Sequence, residues 1–179
     1  MRPRQAALAA ALREHAIREG TFTLSSGATS TWYLDGRAVT FRGDCFELVG
    51  EAVLEAVGDL SFDAVGGMAV GAVPVALAVA FVAGRRAFAV RPEAKSHGIA
   101  GRIAGPLQRA DRALVVEDTA TSGASLAAAV DAVVAFGARV VAGVVLVDRG
   151  GAVAERLAAR GVTCRAVLTA TDLGYPMGS

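Results

Sequence analysis

Two cysteines in 179 residues, Cys45 and Cys164, stand far apart and without metal-ligand spacing. That leaves neither a disulfide framework nor a cysteine metal site, and points to reduced thiols in a cytoplasmic protein. Strong charge of either sign is also missing. The formal net charge is +1, with no long basic stripe, so nucleic-acid binding has no electrostatic support. Aromatic residues are only 6% of the chain; the apolar content is carried by Ala and Val, which suits close packing of helices on a sheet. There are no internal repeats and no low-complexity linker. At the N-terminus, Arg2 and Arg4 precede an Ala-rich run that Arg13 and Glu14 interrupt, the pattern of an amphipathic helix and not of a secretory leader. The charge-free run from Ala64 to Gly84 contains Gly66, Gly67, Gly71 and Pro74. It reads as a buried strand, a turn and a buried helix, not as a membrane span.

What is present is a hydrophobic fraction of 54%, enough for a sizeable core in one domain spanning residues 1–179. A helix is expected from Ala6 to Glu19, with Gly20 as its stop signal. "FTLSSGATSTWYLDGRAVT" then reads as strand, loop and strand, a small N-terminal hood within about residues 1–42. A second helix is expected from Asp44 to Val57, with Asp44 as its N-cap. After it, "FDAVGGMAVGAVPVALAVAFVAG" gives strand, glycine loop and helix, and "AFAVRPEAKSHG" gives a strand running out into a polar loop. "RALVVEDTATSGASLAAAVDAVVAFG" again gives strand, loop and helix. "ARVVAGVVLVDRGG" is a further strand, "AVAERLAARG" a short helix and "CRAVLTA" a last strand. Near-continuous Val and Ala strands alternating with helices indicate an α/β fold, a central mostly parallel sheet flanked by helices on both faces. Ligands of such sheets sit beyond the carboxyl ends of the strands. The loops after Val65, Val90, Val116 and Val147 all leave from that edge.

The segment "VVEDTATSGAS", Val115 to Ser125, carries the most chemistry. With the strand ending at Val116 and helix from Leu126, the loop between delivers backbone N–H groups to a helix N-terminus, which favours an anion. Thr121, Ser122 and Ser125 add hydroxyl donors, and Gly123 permits close backbone approach. By itself the loop fits an ordinary strand-to-helix turn equally well. No GxxxxGK[ST] is present, and "GGMAVG" is not GxGxxG, so P-loop and dinucleotide folds lack their motifs. Glu117 and Asp118 would repel a phosphate, yet ionised carboxylates accept hydrogen bonds from vicinal sugar hydroxyls. A ribose 5-phosphate satisfies both halves of the segment.

These residues resemble the phosphoribosyl-pyrophosphate (PRPP) motif of type I phosphoribosyltransferases. "VRPEAKSHG" is similar to the catalytic loop of the orotate phosphoribosyltransferases, "FTLSSGATSTWYLDGR" to their hood, and "LVDRGG" to their strand-end Asp-Arg. Order and spacing agree from about Thr21 to Gly174.

The resemblance implies a type I phosphoribosyltransferase fold. It also implies transfer of ribose 5-phosphate from PRPP to orotate, giving orotidine 5′-monophosphate and pyrophosphate in pyrimidine synthesis. It implies that Glu117, Asp118, Thr119, Ala120, Thr121, Ser122, Gly123, Ala124 and Ser125 bind PRPP. Arg91, Lys95 and His97 would stabilise the leaving pyrophosphate, with Asp118 also in the catalytic set. Tyr33, Leu34, Thr121 and Arg149 would meet orotate, where an arginine fork suits a planar anion; the other reading of Arg149 is a strand-end ion pair with Asp148. Mg²⁺ is implied as cofactor, held mainly through substrate oxygens and not by direct protein ligands. A homodimer is implied, the 91–98 loop reaching the neighbouring site. His15, in the first helix, is read as surface or core filling. Three positions depart from the family pattern: Pro92 stands where a lysine is usual, Val70 and Ser25 where some members carry one. The alternatives are a type I enzyme for another base and a non-catalytic PRPP-binding paralogue.

Overall fold

The computed structural model describes residues 1–23, 29–95 and 101–178, with the backbone alone for Ala94 and Lys95. Helix α1 (Pro3–His15) begins with a proline in its first turn, where the missing N–H costs nothing. It stops before Glu19, short of the expected end. Ile17 instead opens strand β1 (Ile17–Thr23), which pairs antiparallel with β2 (Thr29–Leu34), Ile17 opposite Leu34 and Thr23 opposite Thr29. The physical reason is burial: Ile17, Trp32 and Leu34 all join the core, and cross-strand pairing of β-branched and aromatic residues outweighs helix propensity. The two strands are the hood.

Helix α2 (Arg37–Thr40) follows, then α3 (Phe46–Val57). Asp44 does not cap α3. Cys45 holds the N-cap position, and the Asp44 carboxylate is taken by Arg42 at 2.9 and 2.5 Å. A guanidinium two residues away outcompetes the backbone amides for the same oxygens.

The remaining elements are β3 (Ala64–Met68), α4 (Ala72–Ala83), β4 (Arg86–Lys95), β5 (Gly101–Ala104), β6 (Arg112–Ala120), α5 (Ala124–Phe136), β7 (Arg139–Asp148), α6 (Val153–Ala158) and β8 (Cys164–Thr169). A 3-10 turn, Thr171–Leu173, follows them. The strands form a sheet of order β5-β4-β3-β6-β7-β8, parallel throughout except for β5 against β4. This is the architecture the sequence pattern indicates.

Alternation along β6 divides the core. Leu114 and Val116 face α1, α3 and α4, where Leu8, Leu12, Val49, Val53 and Val79 pack. Ala113 and Val115 face α5 and α6, where Leu126, Val130, Val133 and Leu157 pack. With both faces covered, the parallel strands read as unbroken apolar runs. No helix among the described residues is long and apolar enough to cross a membrane.

Two strands run further than expected. β4 continues past Val90 through Arg91 and Pro92 to Lys95, which pairs with Gly101. The ladder is irregular between Val90 and Lys95, the stretch holding Pro92, which has no N–H to contribute. β6 continues past Val116 through both acids to Ala120.

Candidate active site

The extension of β6 determines the site. Glu117 pairs with Val145 and Thr119 with Val147, so the acids are fixed on a central strand and not on a loop as the sequence suggested. The remaining loop is Thr121–Gly123. Gly123 adopts φ 70° as the N-cap of α5, a left-handed conformation that glycine takes without steric cost. Glu117, Thr119 and residues 120–126 line a cavity of about 120 Å³. Ser122 Oγ accepts the Ala124 N–H at 3.4 Å, and Arg156 Nε donates to the Ser122 carbonyl at 2.6 Å, tying this loop to α6. Ala124, Ser125 and Leu126 at the start of α5 line this cavity, and the first amides of a helix have no intrahelical acceptors, the usual condition for anion binding.

Glu117 is 6% exposed. Among the described residues its Oε2 has no hydrogen-bond partner. Burial first, then the adjacent Asp118 charge, pushes its carboxyl up to about 8. A buried carboxyl lacking a donor is costly, and a ligand bringing hydroxyl donors relieves it. Asp118 occupies a slot closed by two glycines from different elements. A methyl group at Gly71 would stand 2.8 Å from Asp118 Oδ1, and one at Gly36 would stand 3.3 Å from Oδ2. The glycine loop before α4 and the end of the hood thus converge on one carboxylate. Arg37, at the hood end, is fastened to Asp35 at 2.8 Å and adds positive potential toward Asp118. In the glycine loop the Ala69–Val70 peptide is cis, Ala69 N–H donates to the Val90 carbonyl at 2.8 Å, and Val70 is exposed.

The turn after β7 supplies the other wall. Asp148 Oδ1 accepts the amides of Gly150 and Gly151 at 3.0 and 2.9 Å, so this carboxylate closes its own turn. Gly150 lies so close to the 121–123 loop that a methyl there would overlap the Thr121 carbonyl oxygen. The Arg149 N–H donates to the Ala120 carbonyl at 2.7 Å. The arginine and the hydroxyl loop are therefore neighbours through backbone. The Arg149 guanidinium is largely buried and lies over the Trp32 ring, 4.3 Å from its centroid; burial lowers its pKa. Trp32 was not among the residues expected at the site. Its signal was available in the alternation of "TSTWYL", whose inward positions are Ser30, Trp32 and Leu34. Leu34 enters the core, while Tyr33 turns outward against Phe22, ring centroids 5.6 Å apart. Their side chains diverge, so a contact shared by the two with one ligand runs through backbone.

Arg91 lies in β4, half-buried, with Nη1 donating to the Gly101 and Ile103 carbonyls at 3.2 and 3.4 Å. Arg102 Nε donates to the Arg91 carbonyl at 3.0 Å. The expected loop cation is thus anchored at the root of a β-ribbon. The Lys95 side chain, His97 and Ser25 lie outside what is described. Among the described residues, no group of three or more His, Cys, Asp or Glu could hold a metal ion.

No family model matches the chain. The orotate phosphoribosyltransferase of Streptomyces avermitilis is 43% identical over 174 residues, covering 94% of this chain and 96% of its own. The crystal structure of Mycobacterium tuberculosis orotate phosphoribosyltransferase in complex with Fe(III) dicitrate superposes with a TM-score of 0.87. It is 40% identical and covers 96% of this chain and 99% of its own. The same enzyme in complex with 5-phospho-α-D-ribosyl 1-diphosphate superposes with a TM-score of 0.83 at 37% identity, covering 96% and 99%. Identity at this level over nearly the whole length, together with two carboxylates on a central strand leading into a hydroxyl-glycine loop, shows that the chain belongs to the orotate phosphoribosyltransferase family.

Proposed function

We propose that this chain transfers the 5-phosphoribosyl group of PRPP to orotate, releasing pyrophosphate and forming orotidine 5′-monophosphate. The observation that carries the proposal is the junction of Glu117, Asp118 and the 121–125 loop with Arg149, held by the backbone contacts of Thr121 with Gly150 and of Ala120 with Arg149. In this reading the α5 N-terminus and the Thr121, Ser122 and Ser125 hydroxyls take the 5-phosphate. Glu117 and Asp118 accept from the ribose hydroxyls, and Arg149 presents its fork to the orotate carboxylate.

Orotate N1, presented already deprotonated, supplies the electron pair that forms the new bond to the anomeric carbon. The anomeric C–O bond breaks and its electron pair leaves with pyrophosphate. Positive charge grows on the sugar as negative charge grows on the leaving group, so preorganised charge and alignment carry the catalysis. Arg91, Lys95 and His97 are assigned to the leaving pyrophosphate. Mg²⁺ fits a site whose donors are hard carboxylate oxygens; bound mainly through substrate oxygens, it would neutralise the pyrophosphate charge.

A homodimer is part of the proposal, with residues 91–98 of one subunit serving the other. Its support is an exposed apolar patch: Phe41, Val70 and Leu77, 60%, 61% and 48% exposed, line a groove beside the glycine loop, and Phe81, 70% exposed, lies against Phe46 of the same groove, ring centroids 5.9 Å apart. A cytoplasmic setting is supported by two free cysteines, one of them buried. Loss of orotate absorbance with PRPP and Mg²⁺ tests the proposal directly. Turnover with uracil or a purine but not orotate would replace the base. Binding of PRPP without any turnover would make the protein a sensor.

A further inference from the structure

Tyr175 lies in the C-terminal segment, beyond every element that carries the site, yet it touches the hood twice. Its ring stacks on Trp32, centroids 4.3 Å apart and planes 12° apart. Its hydroxyl donates to Glu19 Oε1 at 2.9 Å. Glu19 on β1 is the register partner of Trp32 on β2, so a single side chain straddles both strands of the hood. Trp32 in turn is fully buried and carries the Arg149 guanidinium over its ring.

The segment bearing Tyr175 is itself fastened to the body. Tyr175 N–H donates to the Ala170 carbonyl at 3.0 Å, and Ala170 N–H to the Asp148 carbonyl at 2.9 Å. Arg13 of α1 donates to the Asp172 carbonyl at 2.6 Å. Gly178 N–H donates to the Arg149 carbonyl at 2.6 Å. The tail therefore holds the Arg149 backbone directly and its guanidinium by way of Trp32.

We propose that Trp32 and Tyr175 are positioning residues for the base half of the site: the C-terminal segment latches the hood through Tyr175, and Trp32 then holds the Arg149 guanidinium where a planar anion meets its fork. The proposal rests on the reading of Arg149 as an orotate contact. An arginine seated over an aromatic ring keeps its N–H edge for hydrogen bonding while the ring limits its swing. A two-stranded hairpin has little stability of its own, so its placement depends on such an attachment. The PRPP half stands on β6 and α5 and meets the hood end at Gly36, beyond β2, whereas Tyr175 acts at Glu19 and Trp32 within the strands. The two substrates should therefore respond differently when the latch is cut.

The test is steady-state kinetics on Tyr175→Ala, Tyr175→Phe, Trp32→Phe and Arg149→Ala, with thermal melts to establish folding. Tyr175→Ala is expected to raise the KM for orotate about tenfold and leave the KM for PRPP within about twofold. Tyr175→Phe keeps the stack and should recover most of the orotate KM, as should Trp32→Phe. The double variant Tyr175→Ala with Arg149→Ala should be no worse than Arg149→Ala alone, because the latch acts through that arginine. If Arg149→Ala raises the orotate KM while Tyr175→Ala does not, the latch is overturned and the reading of Arg149 stands. If Tyr175→Ala raises both KM values alike, its role is general stability and the proposal fails. If Arg149→Ala leaves the orotate KM unchanged, the reading of Arg149 fails and the latch falls with it.

Discussion

Asp118 and Gly71 are in such close contact that a β-carbon on Gly71 would stand 2.8 Å from Oδ1 and 3.0 Å from Oδ2 of the carboxylate. Gly71 has φ −59° and ψ −41°, a conformation alanine adopts freely. Gly71→Ala is therefore a steric probe of Asp118 that leaves the backbone unstrained. The methyl should push the carboxylate off its position and raise the KM for PRPP on the order of tenfold, with the melting temperature shifting by no more than a few degrees. An unchanged KM for PRPP would mean that the orientation of Asp118 does not matter for the sugar.

Replacing the charge should act on the same substrate. Asp118→Asn keeps the shape but turns one oxygen into a donor, which two sugar hydroxyls cannot both use as an acceptor. PRPP binding, followed by calorimetry without orotate, should weaken by about tenfold or more. Unchanged affinity would remove Asp118 from the ribose contact.

Glu117 gives the chain a pH signature. Its carboxyl is raised from the ordinary 4.5 to about 8, so between those values the folded chain holds a proton that the unfolded chain gives up. Stability is then fully present below about 4.5 and falls as pH rises toward about 8. Glu117→Gln should flatten that slope in melts taken across the window. PRPP hydroxyls donating to Glu117 favour the ionised form, so binding near neutral pH should release a proton. Calorimetry in two buffers of different ionisation enthalpy should give different heats for the wild type. The difference should shrink in Glu117→Gln, and the same difference in both proteins would take Glu117 out of the site.

The parallel strands were legible because strands buried on both faces announce themselves as runs such as "AGVVLV"; β5 was not, because the four residues "GRIA" form an edge strand too short for such a run. The acids were legible as chemistry but not as geometry. A strand that carries carboxylates on its last turns looks like a loop until its ladder to β7 is known. Trp32 was missed differently: the resemblance pointed to Tyr33 and Leu34, while the alternation of "TSTWYL" already set Trp32 on the inward face with Ser30 and Leu34. Asp44 failed as a cap because the competing guanidinium of Arg42 is as local as the cap itself. The contacts of Gly36 and Gly71 with Asp118 join three distant stretches, and no local pattern encodes them. Tyr175 on Trp32 is of the same kind.

Lys95 is the chain's only lysine, which makes the cationic loop chemically addressable. Lys95→Ala should lose most of the turnover while PRPP still binds, since its charge is assigned to the leaving group. An amine-acylating reagent should inactivate the wild type, pyrophosphate should protect it, and Lys95→Arg should resist. Near-normal turnover in Lys95→Ala would reject the assignment of this segment.

Phe81 on α4 is 70% exposed and Leu77, one turn before it, is 48% exposed, so charge can be placed there without entering the core. Phe81→Glu should lower the oligomeric state in sedimentation velocity and reduce turnover with it, because in the proposed homodimer each site depends on its neighbour's 91–98 loop. A sharper measurement uses two impaired proteins, assayed at a PRPP concentration too low to saturate Asp118→Asn. Lys95→Ala has an intact site and a defective loop; Asp118→Asn has the reverse. If the loop serves the neighbouring site, a heterodimer of the two contains one site with both parts intact and one with neither. Random reassortment makes half the dimers mixed, so about a quarter of the wild-type turnover should return on mixing. A loop that serves its own subunit gives no recovery, because every site would then lack one part.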